Sequence, residues 1–261
     1  MKTLKLIQSD TYLRPYAEAI EGRYNYAVKR EKELTGGAKL SEWANGYLYF
    51  GLHKVEVEAP KAKTCRRKSQ TKAQWVLREW APNATEIFLV GDFNNWQRQD
   101  SYRLRRKDHG VYEGVFPENA MKHGDLYKLV VCWNGSCGER IPAWCRRVVQ
   151  DEKTKIFSAQ VWQPEQEYKF RIRKFHPTKA PLMIYECHIG MAAEEEKVGT
   201  YNEFRENILP RIAQAGYNCI QIMAIQEHPY YGSFGYHVSS FFAASSRFGT
   251  PEELKRLIDE A

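Results

Sequence analysis

Two carboxylate and imidazole pairs are the residues of this chain whose types and positions best suit acid–base chemistry. Glu186 and His188 stand at the end of an apolar run that begins at Leu182, and Glu227 and His228 follow a second such run. A carboxyl group and an imidazole can each donate or accept a proton in a reaction. Catalytic groups collect at the carboxyl ends of parallel strands. The two pairs are therefore a candidate acid–base set, provided that both runs are parallel strands.

Aromatic side chains form a second candidate group. Seven Trp, sixteen Tyr and twelve Phe make up 13% of the chain, and many stand beside Gly, Asn or Asp rather than inside apolar runs. An aromatic ring held in a turn is a platform for flat ligands such as sugars or nucleic-acid bases. The composition narrows the ligand to these classes without choosing between them.

Positive charge is concentrated in one segment. The formal net charge is 39 − 32 = +7, and seven Lys or Arg but no acidic residue lie between Lys61 and Arg78. Such a run is typical of a solvated surface, but nucleic-acid binding through it and through Arg103–Lys107 stays open.

The six cysteines show no metal-binding spacing. None forms a C-x-x-C pair, and Cys132 and Cys137 have no suitably spaced histidines. We expect free, buried thiols in a reducing compartment.

The composition, with 43% hydrophobic and 27% charged residues, is that of a folded globular protein and excludes disorder, collagen and coiled coil. No run approaches the ~20 apolar residues of a membrane helix, and the first residues do not resemble a signal peptide. These features predict no membrane association and a cytoplasmic location.

Four segments follow from the periodicity. Residues 1–45 have apolar positions at helical spacing and predict a helical extension lying on the next domain. Residues 46–162 contain short runs rich in β-branched and aromatic residues, separated by turn residues, and predict an antiparallel β-sandwich. The predicted strands are Ala73–Trp80, Thr85–Val90, Val111–Phe116 and Leu126–Trp133.

Residues 163–181 form a basic linker, and residues 182–261 alternate strand and helix. Two S/T-x-x-E boxes, at Thr200 and at Thr250, predict helix starts. Pro210 should bend the first of these helices.

Two parallel strands cannot complete a domain, and a (β/α)8 TIM barrel takes about 250 residues. We therefore expect the truncated start of such a barrel, in the front part of a longer protein.

Several motifs carry a specific resemblance. Glu79-Trp80-Ala81-Pro82 and Gly91-Asp92-Phe93-Asn94-Asn95-Trp96 resemble the glucan-binding sandwich found ahead of the barrel in glycogen branching enzymes and isoamylases. Tyr185-Glu186-Cys187-His188-Ile189-Gly190 is similar to the first barrel strand of branching enzymes, and the stretch from Tyr217 to Arg247 is similar to their second strand and its loop. The chain thus resembles the 1,4-α-glucan branching enzymes of the α-amylase superfamily, from about Tyr12 to Ala261.

This resemblance implies an activity. Branching enzymes are transferases that cut an α-1,4 glucan, hold the segment as a covalent glycosyl-enzyme and pass it to a 6-hydroxyl, forming an α-1,6 branch in glycogen biosynthesis. Their nucleophilic Asp and acid Glu follow the fourth and fifth barrel strands, which would lie beyond residue 261. The resemblance therefore assigns no catalytic residue here, and Glu227 and His228 are interpreted as scaffold of the cleft. It implies no cofactor and no metal, an α-1,4-glucan partner such as glycogen, amylose or malto-oligosaccharides, and a monomer.

The family's glucan-binding positions fall on nine residues of this chain. Tyr236 matches the aromatic that stacks on the sugar at the cleavage point. The matching positions of the sandwich are Trp80, Pro82, Trp96, Asp108, His109, Gly110, Val111 and Lys128. For Trp80 a core position is an equal alternative, and Lys128 could be an ordinary surface lysine.

Three alternative functions remain. The chain could be a non-catalytic α-glucan-binding protein, an isoamylase-type debranching enzyme, or a nucleic-acid-binding protein. A neutral glucan predicts binding that is insensitive to salt, whereas nucleic acid predicts a steep salt dependence.

Overall fold

The computed structural model describes residues 4–58, 71–177 and 179–261. The chain divides into two compact units, Met1–Tyr49 and Phe50–Ala261. Residues 61–70 of the basic run, with Cys65, lie outside the described residues. Within those that are described, no helix is both long enough and apolar enough to cross a membrane.

The first unit is helical. Its helices are α1 (Lys5–Ser9), α2 (Ala17–Thr35), α3 (Leu40–Trp43) and α4 (Gly46–Tyr49), with a 3-10 turn at Thr11–Tyr16. Gly36, at φ 64°, ends α2 in the left-handed conformation that favours glycine. The predicted helix is confirmed, but its predicted buried face is not, because no residue of α2 is buried among the described residues.

The second unit begins with a β-sandwich. Its strands are β1 (Gly51–Glu58), β2 (Thr71–Trp80), β3 (Glu86–Gly91), β4 (Arg105–Arg106), β5 (Val111–Pro117), β6 (Leu126–Trp133), β7 (Ser136–Arg140), β8 (Val148–Gln150) and β9 (Phe157–Gln160). One sheet has the order β1-β2-β5-β4, the other has β3-β6-β9-β8, and β7 pairs with β6. All the pairs are antiparallel, as the sequence predicts.

The core lies between these two sheets. Alternate residues of β2 point inward, so that Trp75 and Leu77 are buried with Leu89 of β3 and Leu129 of β6. The outer face of the second sheet carries a smaller apolar cluster of Phe88, Val90, Val130 and Cys132. β3 is therefore covered on both faces, which explains its continuous apolar sequence.

One prediction about the cysteines is wrong. Cys132 and Cys137 form a disulfide, because the β6–β7 hairpin sets them directly opposite each other with their Cα atoms 4.0 Å apart. Cys145, Cys187 and Cys219 are free. Burial raises the pKa of the Cys145 thiol to about 12 and that of Cys187 to about 11, which keeps both protonated.

The rest of the second unit alternates strand and helix. Its elements are β10 (Ile184–His188), α5 (Tyr201–Glu203), α6 (Leu209–Gln214), β11 (Cys219–Met223), β12 (Gln226–Glu227), β13 (Ser240–Ala244) and α7 (Pro251–Glu260). β10 and β11 are parallel, and β12 and β13 are antiparallel. Both capping boxes form: the carboxylates of Glu203 and Glu253 accept from the backbone N–H of Thr200 and Thr250, 3.0 and 2.6 Å away.

Pro210 is accommodated by a π-helical segment. Residues Phe204–Ile208 form this segment between α5 and α6, and the N–H of Leu209 donates to the carbonyl of Phe204, five residues back. A proline has no N–H to donate and crowds the preceding turn. The wider π turn, which ends two residues before Pro210, accommodates the proline.

An aromatic stack joins the sandwich to the part that follows it. The Trp144 ring lies 4.1 Å from that of Phe242 on β13 and 5.3 Å from that of Phe50. Arg147 adds a second tie, because its Nη1 donates to the Gly249 carbonyl at 2.8 Å. These contacts within the second unit connect segments about 100 residues apart, and the sequence gives no local signal of them.

Candidate functional site

Trp80 and the turn beside it form the first candidate group. Trp80 ends β2 on the face opposite the core and is 59% exposed, which excludes the core alternative. Its Nε1–H donates to the His109 carbonyl at 3.0 Å. Pro82 packs on Gly110, where an added Cβ would lie 2.6 Å from the Pro82 Cβ. The indole is thereby fixed with one face open.

This turn needs two left-handed residues. His109 has φ 57° and Gly110 has φ 78°, and the Gly110 carbonyl accepts from Ala81 N at 2.9 Å. Asp108 precedes them, and Val111 is the Cα partner of Trp80. The sequence-predicted residues Trp80, Pro82, Asp108, His109, Gly110 and Val111 therefore lie together.

A buried carboxylate behind Trp80 escaped the sequence analysis. Glu79 is 6% exposed and accepts from Trp80 N at 3.0 Å and from Ala143 N at 2.9 Å. Burial raises the pKa of Glu79, and the two N–H bonds oppose that shift. Strand alternation around Trp75 and Leu77 could have shown that Glu79 points inward.

Trp96 belongs to a second group, at the other end of β3. It follows a turn in which Asn94 Oδ1 accepts from Gly91 N at 2.9 Å, and its Nε1–H donates to Asp92 Oδ1 at 3.0 Å. Gly91 is required by close approach, since an added Cβ would lie 2.3 Å from the Leu126 carbonyl oxygen. The indole N–H of Trp96 is thus tied to this turn, and the residue is 36% exposed.

Lys128 lies on the outer face of the second sheet, opposite the residue that precedes the Gly91–Trp96 turn. It is the Cα partner of Val90, and its Nζ is 2.8 Å from Glu139 Oε2 on β7. Only 13% of its side chain is exposed, so it is held in place rather than freely solvated. The turn Asn134-Gly135 is a hairpin signal that could have located β7 and this partner.

The two groups do not converge. Trp80 precedes the start of β3, whereas Trp96 follows its end, and the six residues of β3 span roughly 17 Å. The sandwich therefore offers two separate platforms, suited to two stretches of an extended ligand.

Tyr236 projects from the loop between β12 and β13. Phe234 and Gly235 have φ 50° and 81°, and an added Cβ at Gly235 would lie 2.2 Å from the Ala224 Cβ. This tight turn leaves Tyr236 77% exposed. Its ring is available to a ligand at the end of the loop.

Glu227 is fully buried and its carboxylate is occupied. Oε2 accepts from the backbone N and the hydroxyl of Ser246, both at 2.7 Å, and Oε1 accepts from His228 N at 3.1 Å. Such a carboxylate ties β12 to the segment after β13 and is not free to act as an acid or a base.

Several buried polar atoms lie at these strand ends, where His228 Nδ1 is 3.0 Å from the Gln226 carbonyl oxygen. Both ring nitrogens of His188, Nε2 of His228 and Nε of Arg247 are buried without a hydrogen-bond partner among the described residues. Burial lowers the pKa of His188, and a positive charge on His228 would lower it further. The arrangement holds a neutral His188 and leaves polar groups that a hydroxyl-rich ligand or further polar side chains could satisfy. Over the same part of the chain, no three His, Cys, Asp or Glu side chains are grouped to hold a metal ion.

Four of the basic residues that the structure describes in the two predicted basic segments have acceptors. Arg78 Nε is 2.7 Å from Glu113 Oε2, Lys107 binds the same carboxylate at 3.2 Å, and Arg103 pairs with Glu86. Arg106 donates to the carbonyls of Ala84 and Pro82. These cations are not arrayed for phosphates.

Comparison with known proteins confirms the resemblance. Residues 64–145 match the family described as carbohydrate-binding module 48 (isoamylase N-terminal domain). Similar proteins include the 1,4-α-glucan-branching enzymes of Dictyostelium discoideum, 40% identical over 98% of this chain and 36% of that protein, and of Yarrowia lipolytica, 41% identical over 99% and 36%. The chain spans about a third of the length of these relatives.

Solved structures share the fold at low identity. The pullulanase SAP of Group B Streptococcus has a TM-score of 0.60 and 16% identity over 72% of this chain and 30% of that one. The pullulanase from Bacillus acidopullulyticus has a TM-score of 0.58 and 15% identity over 81% and 28%. The chain thus consists of the helical unit followed by a unit in which a β-sandwich, matched in part by the carbohydrate-binding module 48 family, precedes a βα part.

Proposed function

We propose that the protein to which this chain belongs is a 1,4-α-glucan branching enzyme. It would cut an α-1,4 glucan and transfer the released segment to a 6-hydroxyl. The observation that carries the proposal is the sequence identity of about 40% to such enzymes over 98% of this chain. The aligned region includes both the sandwich and the βα part.

The chain's own part in this reaction would be to hold the glucan. Trp80, Trp96 and Tyr236 present exposed or half-exposed rings, and pyranose rings stack on such surfaces. Pro82 and the turn from Asp108 to Val111 would shape the first platform, and Lys128 would donate to sugar hydroxyls at the second.

The domain division is part of the proposal. Residues 1–45 would be the helical extension, 46–162 the carbohydrate-binding module and 163–181 the linker. Residues 182–261 would be the first two βα units of a (β/α)8 barrel. Support comes from the parallel pairing of β10 with β11 and from the helical segment between them.

Retaining glycoside chemistry needs two carboxyl groups about 5–5.5 Å apart across the bond that is cut. Glu227 cannot be one of them, because Ser246 and His228 N occupy its oxygens.

The test compares the 261-residue chain with the complete gene product on amylose. We expect the complete product to lower iodine staining and to add α-1,6 linkages. A debranching enzyme that cuts these linkages should then release short linear chains. The chain alone should bind amylopectin in an affinity gel but leave iodine staining unchanged. Branching by the chain alone, or no branching by the complete product, would overturn the assignment.

An isoamylase-type debranching enzyme is the second candidate. The matched module is named after the N-terminal domain of isoamylase, and the similar solved structures are pullulanases. The same assay separates the two, since debranching would increase iodine staining of amylopectin and release linear chains.

A further inference from the structure

The Cys132–Cys137 disulfide lies on the face of the sandwich that carries Lys128. Side chains alternate along β6, so Lys128, Val130 and Cys132 share the outer face. Opposite them on β7, Glu139 and Cys137 take the same face. The covalent link and the Lys128–Glu139 ion pair are thus two ties between the same pair of strands on the same side.

Other contacts connect the disulfide to Trp96. Arg98, two residues after Trp96, approaches the Cys137 sulfur through Nη1 at 3.5 Å. Cys132 is part of the small cluster with Phe88, Val90 and Val130, and Val90 directly precedes the turn that ends at Trp96. β7 thus contacts Lys128 through Glu139, and it contacts Arg98, two residues from Trp96, through Cys137.

Little else holds β7 in place. No other described strand pairs with it, and four of its five residues are exposed. Besides its backbone pairing with β6, its side chains contribute the disulfide, the Arg98–Cys137 contact, the Lys128–Glu139 pair and a contact of the Arg140 guanidinium over the Trp133 ring. Peripheral strands with few buried side chains open at low free-energy cost.

We propose that the Cys132–Cys137 disulfide is a redox switch that sets the glucan affinity of the Trp96–Lys128 platform. The disulfide keeps β7 paired and Glu139 beside Lys128, so that the ammonium is oriented. Reduction frees β7, releases Lys128 and Arg98 and weakens glucan binding. The effect on affinity rests on the glucan-binding function proposed above, but the opening of β7 does not.

The reductant is a small dithiol or a dithiol protein. Its thiolate attacks the exposed Cys137 sulfur and forms a mixed disulfide, and the Cys132 thiolate leaves and takes up a proton. The second thiol of the reductant then displaces the Cys137 thiolate, which is protonated in turn. Two electrons pass from the reductant, which becomes a disulfide, to the two cysteines of the protein.

The experiment compares oxidised and dithiothreitol-treated protein by two measurements. Hydrogen exchange of the β7 amides reports opening without any glucan, and retardation in an amylopectin gel reports affinity. We expect faster β7 exchange on reduction and retention that is about two- to fivefold weaker, the loss of roughly one positioned hydrogen bond. Cys137→Ser should behave as reduced protein under both conditions, whereas Cys219→Ser, which leaves the disulfide intact, should respond like the wild type.

The outcomes separate the two proposals. Retardation that is absent in both redox states would refute glucan binding and with it the affinity switch, while β7 exchange would still show whether reduction opens the strand. Retardation that is present but unchanged by dithiothreitol would overturn the switch alone. Free Cys132 and Cys137 thiols in air-oxidised protein, or a dithiothreitol response that persists in Cys137→Ser, would also overturn it.

Discussion

At the scale of single residues, the proposed site depends on rings that contribute nothing to the core. Trp80 and Trp96 are fixed by hydrogen bonds from their indole N–H groups to the His109 carbonyl and to Asp92, and each leaves ring surface exposed. A platform that is already immobile loses little conformational entropy when a sugar stacks on it.

Trp96→Ala and Trp80→Ala should each weaken retention in amylopectin gels. Stacking buries about 60–80 Å² of apolar surface, worth about 1.5–2 kcal/mol or roughly 10- to 30-fold in affinity. Tyr26→Ala removes an exposed ring of α2 and should change nothing. Because the platforms are separate, the affinity losses of the two single variants should add in the double variant. Unchanged retention of either single variant would show that its tryptophan does not bind glucan.

Tyr236→Ala should leave stability unchanged. The side chain is 77% exposed, and surface substitutions of this kind stay within about 0.5 kcal/mol. Urea unfolding checks this expectation, and binding of malto-oligosaccharides measured by calorimetry should weaken in the same variant. A loss of more than 1 kcal/mol of stability would mean that the ring packs against the protein.

At the scale of elements, buried carboxylates hold segments that lack strong structure of their own. Glu227 links β12 to the residues after β13, and Asp259 of α7 holds the linker through Tyr168 Oη at 2.6 Å and the N–H groups of Arg171 and Ile172 at 2.9 and 3.0 Å. Each carboxylate satisfies backbone N–H groups that would otherwise be unpaired.

Glu227→Ala should destabilise the second unit by about 3–5 kcal/mol, because it strips buried donors of their acceptor. Glu227→Gln keeps one oxygen and should cost less. Urea midpoints measure both, with Glu186→Gln, at an exposed position on β10, as the control. Equal midpoints for Glu227→Ala and the wild type would show that Glu227 does not hold β12.

Asp259→Asn should lower stability at neutral pH, and the difference should shrink in acid. The hydrogen bond from Tyr168 and the N–H groups of Arg171 and Ile172 hold the pKa of Asp259 far below its usual range. The carboxylate therefore contributes its full stability above the ordinary Asp pKa of about 3.9 and loses it as the pH falls toward the folded-state value.

Urea midpoints of both proteins between pH 8 and about pH 2 test this expectation. Asp100→Asn, an exposed change on a 3-10 turn, is the control. A gap between wild type and variant that widened in acid would contradict the expected sign.

At the scale of the whole molecule, the net charge of +7 has no assigned role. Among the described cations near the proposed platforms, Arg78, Arg103 and Lys128 are paired with Glu113, Glu86 and Glu139. Glucan binding by stacking on a neutral polymer should therefore be insensitive to salt.

Raising the salt from about 50 to 200 mM should leave amylopectin retardation unchanged. A protein that neutralised six or more phosphates would lose about 10³-fold or more in affinity over that range. Retardation with duplex DNA under both conditions is the parallel measurement. Strong, salt-sensitive DNA binding with weak amylopectin binding would favour the nucleic-acid alternative.

Residue type and spacing were enough to predict four strands of the sandwich and both capped helix starts, whereas β1, β4, β7, β8 and β9 were not predicted. The strand Leu126–Trp133 was predicted to the residue, both capping boxes form, and the turn from Gly91 to Trp96 was marked as a motif. These features depend on neighbours within a few residues, where spacing and residue type are sufficient. The resemblance that led to α-glucan also rested on such local motifs.

Which distant side chains meet could not be predicted from the sequence. The fold paired Cys132 with Cys137 and Lys128 with Glu139, buried Glu227 among serines, and separated the Trp80 and Trp96 groups along β3. The register of β7 and the packing of two sheets set these contacts, and neither is encoded in a window of adjacent residues. The sequence alone could therefore name the sugar-stacking candidates. Their separation into two groups, and the position of Lys128 on the strand pair that the disulfide links, follow from the fold.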